Sequence, residues 1–203
     1  MSRRILEFKK WSRKKLALLR MKKSPHMIAE ALTEIGIPFD EFEQEDVDSL
    51  GNKIHKYCGL IIGGGRLDQG ENPPALPEYI EDLHIPILGI CLGNEILGLH
   101  LGSNLINCNG GFDLGEGSEV IAEIYPDEIY GDLPAPSNQM VKMEHFYMLD
   151  KEPNGSKLIA STRETPIAGF HHEEKSIWGL QFHPEKDLMK SIIFKNFYKI
   201  CLK

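Results

Sequence analysis

The sequence predicts a three-layer α/β fold: a mostly parallel central sheet with helices on both faces, extended by antiparallel strands in the C-terminal half. Three observations carry this reading. Strand-like and helix-like segments alternate through the first hundred residues. The apolar runs 58–62 and 85–90 have no polar face, as expected of strands covered on both sides. Beyond residue 141 the helical signal gives way to short strand-like pieces between turn residues.

Residues 16–21 form the first strand. Ser24-Pro25 reads as an N-cap with proline in the first turn of a helix whose inner face is Met27, Ile28, Ala31, Leu32 and Ile35. Gly36 closes that helix and Pro38 prevents its continuation. A short strand over 39–42 and a weak helix over 47–54 lead to the strand 58–62, which Gly63-Gly64-Gly65 ends. A helix over 75–83, a strand over 85–90 and a helix over 94–101 come next. Residues 103–123 are rich in Gly and Asn. Strand-like pieces at 157–161, 167–170 and 177–182 precede a last helix over 188–201, with Ile192, Ile193, Phe197 and Ile200 inward. Right-handed crossovers place ligands beyond the carboxyl ends of the parallel strands, so attention falls on Gly63-Gly64-Gly65 and on the residues just after Ile90.

Composition narrows the classes. A chain of 203 residues buries about 70% of its unfolded surface and needs no staples. Cys58, Cys91, Cys108 and Cys201 contain no C-x-x-C pair, which argues against a disulfide framework or a zinc site. A reducing, cytoplasmic setting is expected, with no metal and no cofactor. The absence of a long apolar run and of a secretion-type N-terminus argues against membrane association. The net charge of −7 is uneven: residues 1–23 hold 10 of the 23 Lys and Arg and one acid, Glu7, leaving 13 basic and 29 acidic side chains in the rest. An acidic body does not bind nucleic acid by general electrostatics. The basic tip, residues 1–15, is set off as an extension from a single domain, 16–203. It reads as a solvated arm or amphipathic helix, or as a contact for an acidic or phosphate-rich partner.

The chemistry concentrates in two motifs. Ile87-Leu88-Gly89-Ile90-Cys91-Leu92-Gly93-Asn94-Glu95 sets a cysteine between glycines where a buried strand meets a helix, a nucleophile-elbow pattern. The helix N-terminus favours thiolate over thiol, and the Leu92 amide is free to donate to an oxyanion. A cysteine at such a turn is equally often a small buried residue. The second motif weighs against that: Ile177-Trp178-Gly179-Leu180-Gln181-Phe182-His183-Pro184-Glu185 ends a strand in a base and a carboxylate two residues apart. A thiol nucleophile, a base and an orienting acid are then all present.

Together with the Gly-Gly turn after Ile62, these two motifs resemble those of the class I, or triad, glutamine amidotransferases, and the resemblance runs from about Leu16 to Cys201. Within the class the chain is most similar to the separate glutaminase subunit of archaeal-type GMP synthase. The resemblance implies a flavodoxin-like fold and a reaction in which Cys91 attacks the glutamine side-chain amide to give a γ-glutamyl thioester and ammonia. It makes His183 the acid/base, Glu185 its orienter, and the Gly65 and Leu92 backbone amides the oxyanion hole. It places Gly64, Glu95 and His145 about the substrate, where Arg66, a departure from the family, adds a cation near the mouth of the site, and implies an ATP-dependent synthetase partner that accepts ammonia. Departures are visible. Asn94-Glu95 replaces the family's His-Gln, and a carboxylate there repels the substrate carboxylate unless protonated or paired. Gly63-Gly64-Gly65-Arg66 replaces Ser-Gly-Gly-Pro, Glu144-His145-Phe146-Tyr147 replaces Ser-His-Gly-Asp, and Arg20-Met21-Lys22-Lys23 replaces the Asp-Asn-Gly that usually follows the first strand. Such changes also suit a stand-alone γ-glutamyl hydrolase or peptidase. A non-catalytic regulator is disfavoured by the retention of all three triad types.

Other patterns carry less. A phosphate loop over Gly63–Gly70 lacks the Lys-Ser/Thr that must come after its last glycine. His171-His172-Glu173-Glu174 reads as a charged hairpin tip rather than a metal patch, and the acids from Asp40 to Asp48 as a solvated face.

Overall fold

The structure, a computed structural model, describes residues 14–22, 24–65, 67, 70–112, 118–186 and 189–203. Residues 1–13 of the 1–15 tip and Arg66, and the expectations for them, lie outside the described residues. Strands β1 (Lys15–Arg20), β2 (Phe39–Glu43), β3 (Tyr57–Gly63), β4 (Ile87–Ile90) and β11 (Ile177–Leu180) lie parallel in the order β2-β1-β3-β4-β11. The sheet continues antiparallel through β10 (Gly169–His172), β9 (Ser156–Ser161), β6 (Ser118–Ile124) and β7 (Ser137–Met143). A separate two-stranded ribbon pairs β5 (Leu105–Phe112) with β8 (His145–Leu149).

Period-two alternation divides the core. Leu16, Leu18, Ile61, Leu88, Ile90 and Trp178 face helices α1 (Met27–Glu34) and α4 (Lys190–Cys201), meeting Ile28, Leu32, Ile193 and Phe197. Ala17, Leu19, Leu60, Ile62 and Ile87 face the other way, onto Leu50 of α2 (Val47–Gly51) and Ile96 and Leu97 of α3 (Leu92–His100). Both faces of the central strands are therefore covered, which explains why they read as unbroken apolar runs.

Three expectations need correction. Residues 75–83 hold only a 3-10 turn, Glu78–Asp82, because Pro73, Pro74 and Pro77 cannot donate the backbone bonds of an α-helix. Helix α1 begins two residues late, with His26 at its N-cap position. Ser24 belongs instead to the turn before it, donating its N–H to the Met21 carbonyl. The piece 177–182, expected among the antiparallel additions, holds β11, which pairs parallel with β4 and antiparallel only with β10, because its register carries it into the parallel block beside Ile87–Ile90. The acids of β2 do more than face solvent: Asp40 pairs with Lys15 at 2.6 Å, and Glu41 and Glu43 clasp Arg20.

Buried Asp127 locks the antiparallel half to the sheet centre. It accepts from Trp178 Nε1 (2.9 Å), His171 Nδ1 (2.7 Å) and the Ile129 N–H (3.1 Å), with Lys157 Nζ at 3.1 Å. Burial alone would raise its pKa, but these donors outweigh burial and hold it down to about 2. Asp127→Ala is expected to cost about 3–5 kcal/mol, because it strips the partner from buried donors. A lower urea midpoint at unchanged slope is the check. Since the folded value lies below the unfolded one, the carboxylate's contribution is complete above pH ~4 and is lost as pH falls toward 2.

Candidate active site

The carboxyl ends of β3, β4 and β11 converge. Cys91 comes directly after β4 with φ 52 and ψ −108, a left-handed conformation that a side-chain-bearing residue adopts only under constraint. The constraint is visible: the Cys91 N–H continues the sheet by donating to the Leu180 carbonyl (2.8 Å), while its own carbonyl accepts from Glu95 as the first bond of α3 (3.1 Å). The turn closes only because its flanks are glycines. A Cβ on Gly93 would strike the Ile62 carbonyl, and one on Gly89 would lie 2.6 Å from Gly93 backbone.

The parallel pairing of β4 with β11, Leu180 opposite Ile90, carries the second motif to the same sheet end. His183 Nδ1 lies 2.7 Å from Glu185 Oε1, and both side chains are buried. Burial disfavours the imidazolium, but the Cys91 and Glu185 charges overcome that and hold the His183 pKa well above the usual histidine range. The Cys91 thiol points between the Glu144 carbonyl (3.5 Å) and the Gly65 carbonyl (3.9 Å). Gly65, at φ 78, lies against Leu92: a Cβ there would touch Leu92 Cδ2 at 3.2 Å and the Met21 carbonyl at 2.9 Å. The two residues expected to form an oxyanion hole are thus neighbours beside the thiol.

Glu95 is buried, 2% exposed, and not a free carboxylate facing solvent. Asn94 Nδ2 donates to Gln181 Oε1 (2.8 Å), and Gln181 Nε2 donates to Glu95 Oε1 (2.9 Å). Burial pushes the Glu95 pKa up to about 8, against the smaller opposing effects of Gln181 and His183. At neutral pH the group is mostly an uncharged acid and a potential donor. His145 is also buried. Its Nδ1 donates to the Tyr147 carbonyl (2.9 Å) and its Nε2 lies 3.4 Å from Thr165 Oγ1; burial first, then His183, holds its pKa down to about 4, so it is neutral. Gly64, at φ 78, faces Ser24 in the wall of the cavity beside His183. Sequence reasoning misses Gln181 and Ser24 as site residues; a polar residue inside the apolar run 177–182 is the available signal for Gln181. Glu144 acts through its backbone and, at the rim, through an ion pair with Lys186 (2.8 Å). Among the described residues no cluster of three His, Cys, Asp or Glu is suited to a metal, and no helix is long and apolar enough to cross a membrane.

A three-layer α/β sheet that presents a positive-φ cysteine beside a histidine–carboxylate pair has the layout of a nucleophile-elbow protein. The class I glutamine amidotransferase profile matches residues 22–200, and the chain belongs to that family. Its relatives include the glutamine-hydrolysing GMP synthases of Hydrogenovibrio crunogenus, 35% identical over 170 residues, and Ruthia magnifica, 39% identical over 169 residues. Each match covers 78% of this chain, and 31% and 30% of those proteins. The chain thus spans about a third of the length of these relatives. Among solved structures, a Thermoplasma acidophilum protein assigned as a GMP synthase subunit aligns over 93% of this chain and 94% of its own, with TM-score 0.74 and 25% identity. A Thermotoga maritima glutamine amidotransferase shares the fold, with TM-score 0.66 at 21% identity over 91% of this chain and 82% of its own.

Proposed function

We propose that this chain is a glutaminase that hydrolyses the glutamine side-chain amide through a γ-glutamyl thioester on Cys91 and supplies ammonia to a separate ATP-dependent synthetase, in the manner of a GMP synthase subunit. The observation that carries the reading is the parallel register of β4 and β11, which sets Cys91 beside a buried His183–Glu185 pair. In this mechanism the Cys91 thiolate attacks the amide carbon while the Gly65 and Leu92 amides stabilise the oxyanion. His183, fixed in one tautomer by Glu185, gives its proton to the leaving nitrogen and then takes one from the water that opens the thioester. We assign residues 16–203 to the amidotransferase domain and residues 1–15 to a basic extension able to meet an acidic synthetase, the two joining at Lys15, which opens β1, and the whole to the cytoplasm. Incubation with glutamine is expected to yield equimolar glutamate and ammonia, with the γ-glutamyl group trapped on Cys91 by acid quenching. No release, even with a cell extract supplying partners, would sink the reading.

Glu95 sets the pH range. We place it, with His145, Gly64 and Arg66, about the substrate's amino-acid end. An uncharged Glu95 tolerates the substrate carboxylate, and its ionisation as pH rises through about 8 introduces repulsion. The KM for glutamine is expected to climb above that pH in the parent protein and to stay level in Glu95→Gln, which also uses glutamine better. Parallel KM–pH profiles for the two proteins would show that Glu95 does not face the substrate.

A further inference from the structure

Two free cysteines outside the candidate active site, Cys58 and Cys201, meet across the fold. β3 enters the sheet through a bulge: Lys15 pairs with Tyr57 and Leu16 with Gly59, so Cys58 is an extra residue between two ladder positions. In a regular strand Cys58 would point with Leu60 and Ile62 toward α2 and α3. The bulge re-aims it, and Cys58 packs with Ile61 in the cluster under α4, the helix that ends in Cys201. Gly59 completes the arrangement. A Cβ there would collide with Cys201 Sγ and lie 3.3 Å from Cys201 Cβ, so the sulfur fits against the strand because residue 59 has no side chain. A bulge and a glycine both weaken a central strand. Here they stand at adjacent positions, and together they bring one thiol to the other.

The two thiols are chemically unequal. Cys58 Sγ lies 3.4 Å from the Lys15 carbonyl. The Cys201 thiol donates to it, and this contact, aided by the Cys58 N–H and Lys14, outweighs burial and holds the Cys58 pKa below the usual thiol value. Burial first, then the hydrogen bond and charge of Cys58, drive Cys201 well above that value. One sulfur is suited to attack and the other to resolve the product. Neither is sealed in the interior: Cys58 is 8% and Cys201 7% exposed, and Cys201 lies in the last turn of α4, where helices fray.

We infer that Cys58 and Cys201 are a redox-active pair, which low-molecular-weight disulfides such as glutathione disulfide convert to a reversible bond fastening α4 to β3. The Cys58 thiolate attacks one sulfur of the small disulfide, whose S–S bond breaks and whose other half leaves with the electron pair. Cys201 sulfur then attacks Cys58 sulfur and displaces the second small thiolate. The pair is oxidised by two electrons, the small disulfide is reduced, and the two protein thiol protons end on the two small thiols. The bond closes a loop from residue 58 to residue 201 and so restricts the unfolded chain. It forms near the start of β3, whereas Gly65 and Cys91 lie beyond the opposite strand ends, so it acts on stability and leaves the candidate active site in place.

For the test, the purified full chain is incubated in its native state with glutathione disulfide, its remaining thiols are alkylated, and it is digested without reduction and mapped by mass spectrometry. A cross-linked peptide pair carrying Cys58 and Cys201 is expected, with a rise in the thermal midpoint of about 5–15 °C that dithiothreitol reverses. Cys58→Ala and Cys201→Ala should each abolish the rise, and glutathione should stay on Cys58 in the Cys201→Ala protein. The map of the parent protein decides the matter even where a variant fails to fold. Glutathione retained on Cys58 of the parent, a thiol pair left unreacted, or a cross-link with a level or lower midpoint overturns the inference. Modification of Cys91 is read from its own peptide, so the outcome is independent of the glutaminase reading.

Discussion

Cys91→Ala is expected to lower glutamine hydrolysis by about 10⁴-fold or more, to the level that binding and oxyanion stabilisation sustain without a nucleophile. Alanine is the right replacement because it keeps a Cβ at φ 52 and so retains the backbone strain of the elbow. The comparison then isolates the sulfur. Glycine would remove the nucleophile and also relax the turn by roughly 1–2 kcal/mol, confounding activity with stability. The Cys91 side chain is 1% exposed and its thiol makes weak bonds to the Glu144 and Gly65 carbonyls, so removing it leaves a cavity of a single sulfur atom. Thermal unfolding of the variant should lie within a few degrees of the parent's. A variant that retains activity would move the chemistry elsewhere.

Glu185→Gln is expected to reduce the rate by about 10²–10⁴-fold, the range seen when the orienting carboxylate of a triad becomes an amide. An amide can turn its N–H toward His183 Nδ1, which stabilises the wrong tautomer and leaves Nε2 protonated in the neutral ring. It also removes one of the two charges that support the imidazolium. With the carboxylate gone the cation is less favoured, and the His183 pKa falls toward the ordinary histidine value. NMR titration of His183 reports this shift independently of turnover. A full-rate variant, or an unmoved titration, would mean that the 2.7 Å contact with Glu185 does not govern the base.

The parallel half of the fold was legible because burial on both faces left its strands no polar side. Leu60, Ile61 and Ile62 are all fully buried, and the sequence over 58–62 is apolar throughout. The elbow was legible for a related reason: only glycine fits at 89 and 93, so the motif is steric before it is chemical. Much of the antiparallel half was not legible. Among residues 119–124 of β6 only Ala122 and Ile124 are fully buried, with Glu119 and Glu123 outward, while β5 carries Asn-Gly-Gly, a composition that signals a loop. Ser24-Pro25 had the chemistry of a helix cap, but Arg20 and Met21 bind its backbone and draw it into the cavity wall. Cys91, His183 and Glu185 could be named from their motifs. The state of Glu95 could not, because it depends on burial and on a Gln181 amide that is 86 residues distant in sequence.

The insertion of β11 between β4 and β10 has a consequence for biosynthesis. Cys91 is made early, yet His183, the base proposed for it, arrives on a strand that pairs with β4 only after residues 177–185 have been translated. At elongation rates of about 5–20 residues per second, a nascent chain carries Cys91 for several seconds before His183 and Glu185 are made. Because the pairing of β4 with β11 is long-range, it also falls late in folding. On the mechanism proposed above, the thiol therefore gains its base as one of the last events of maturation.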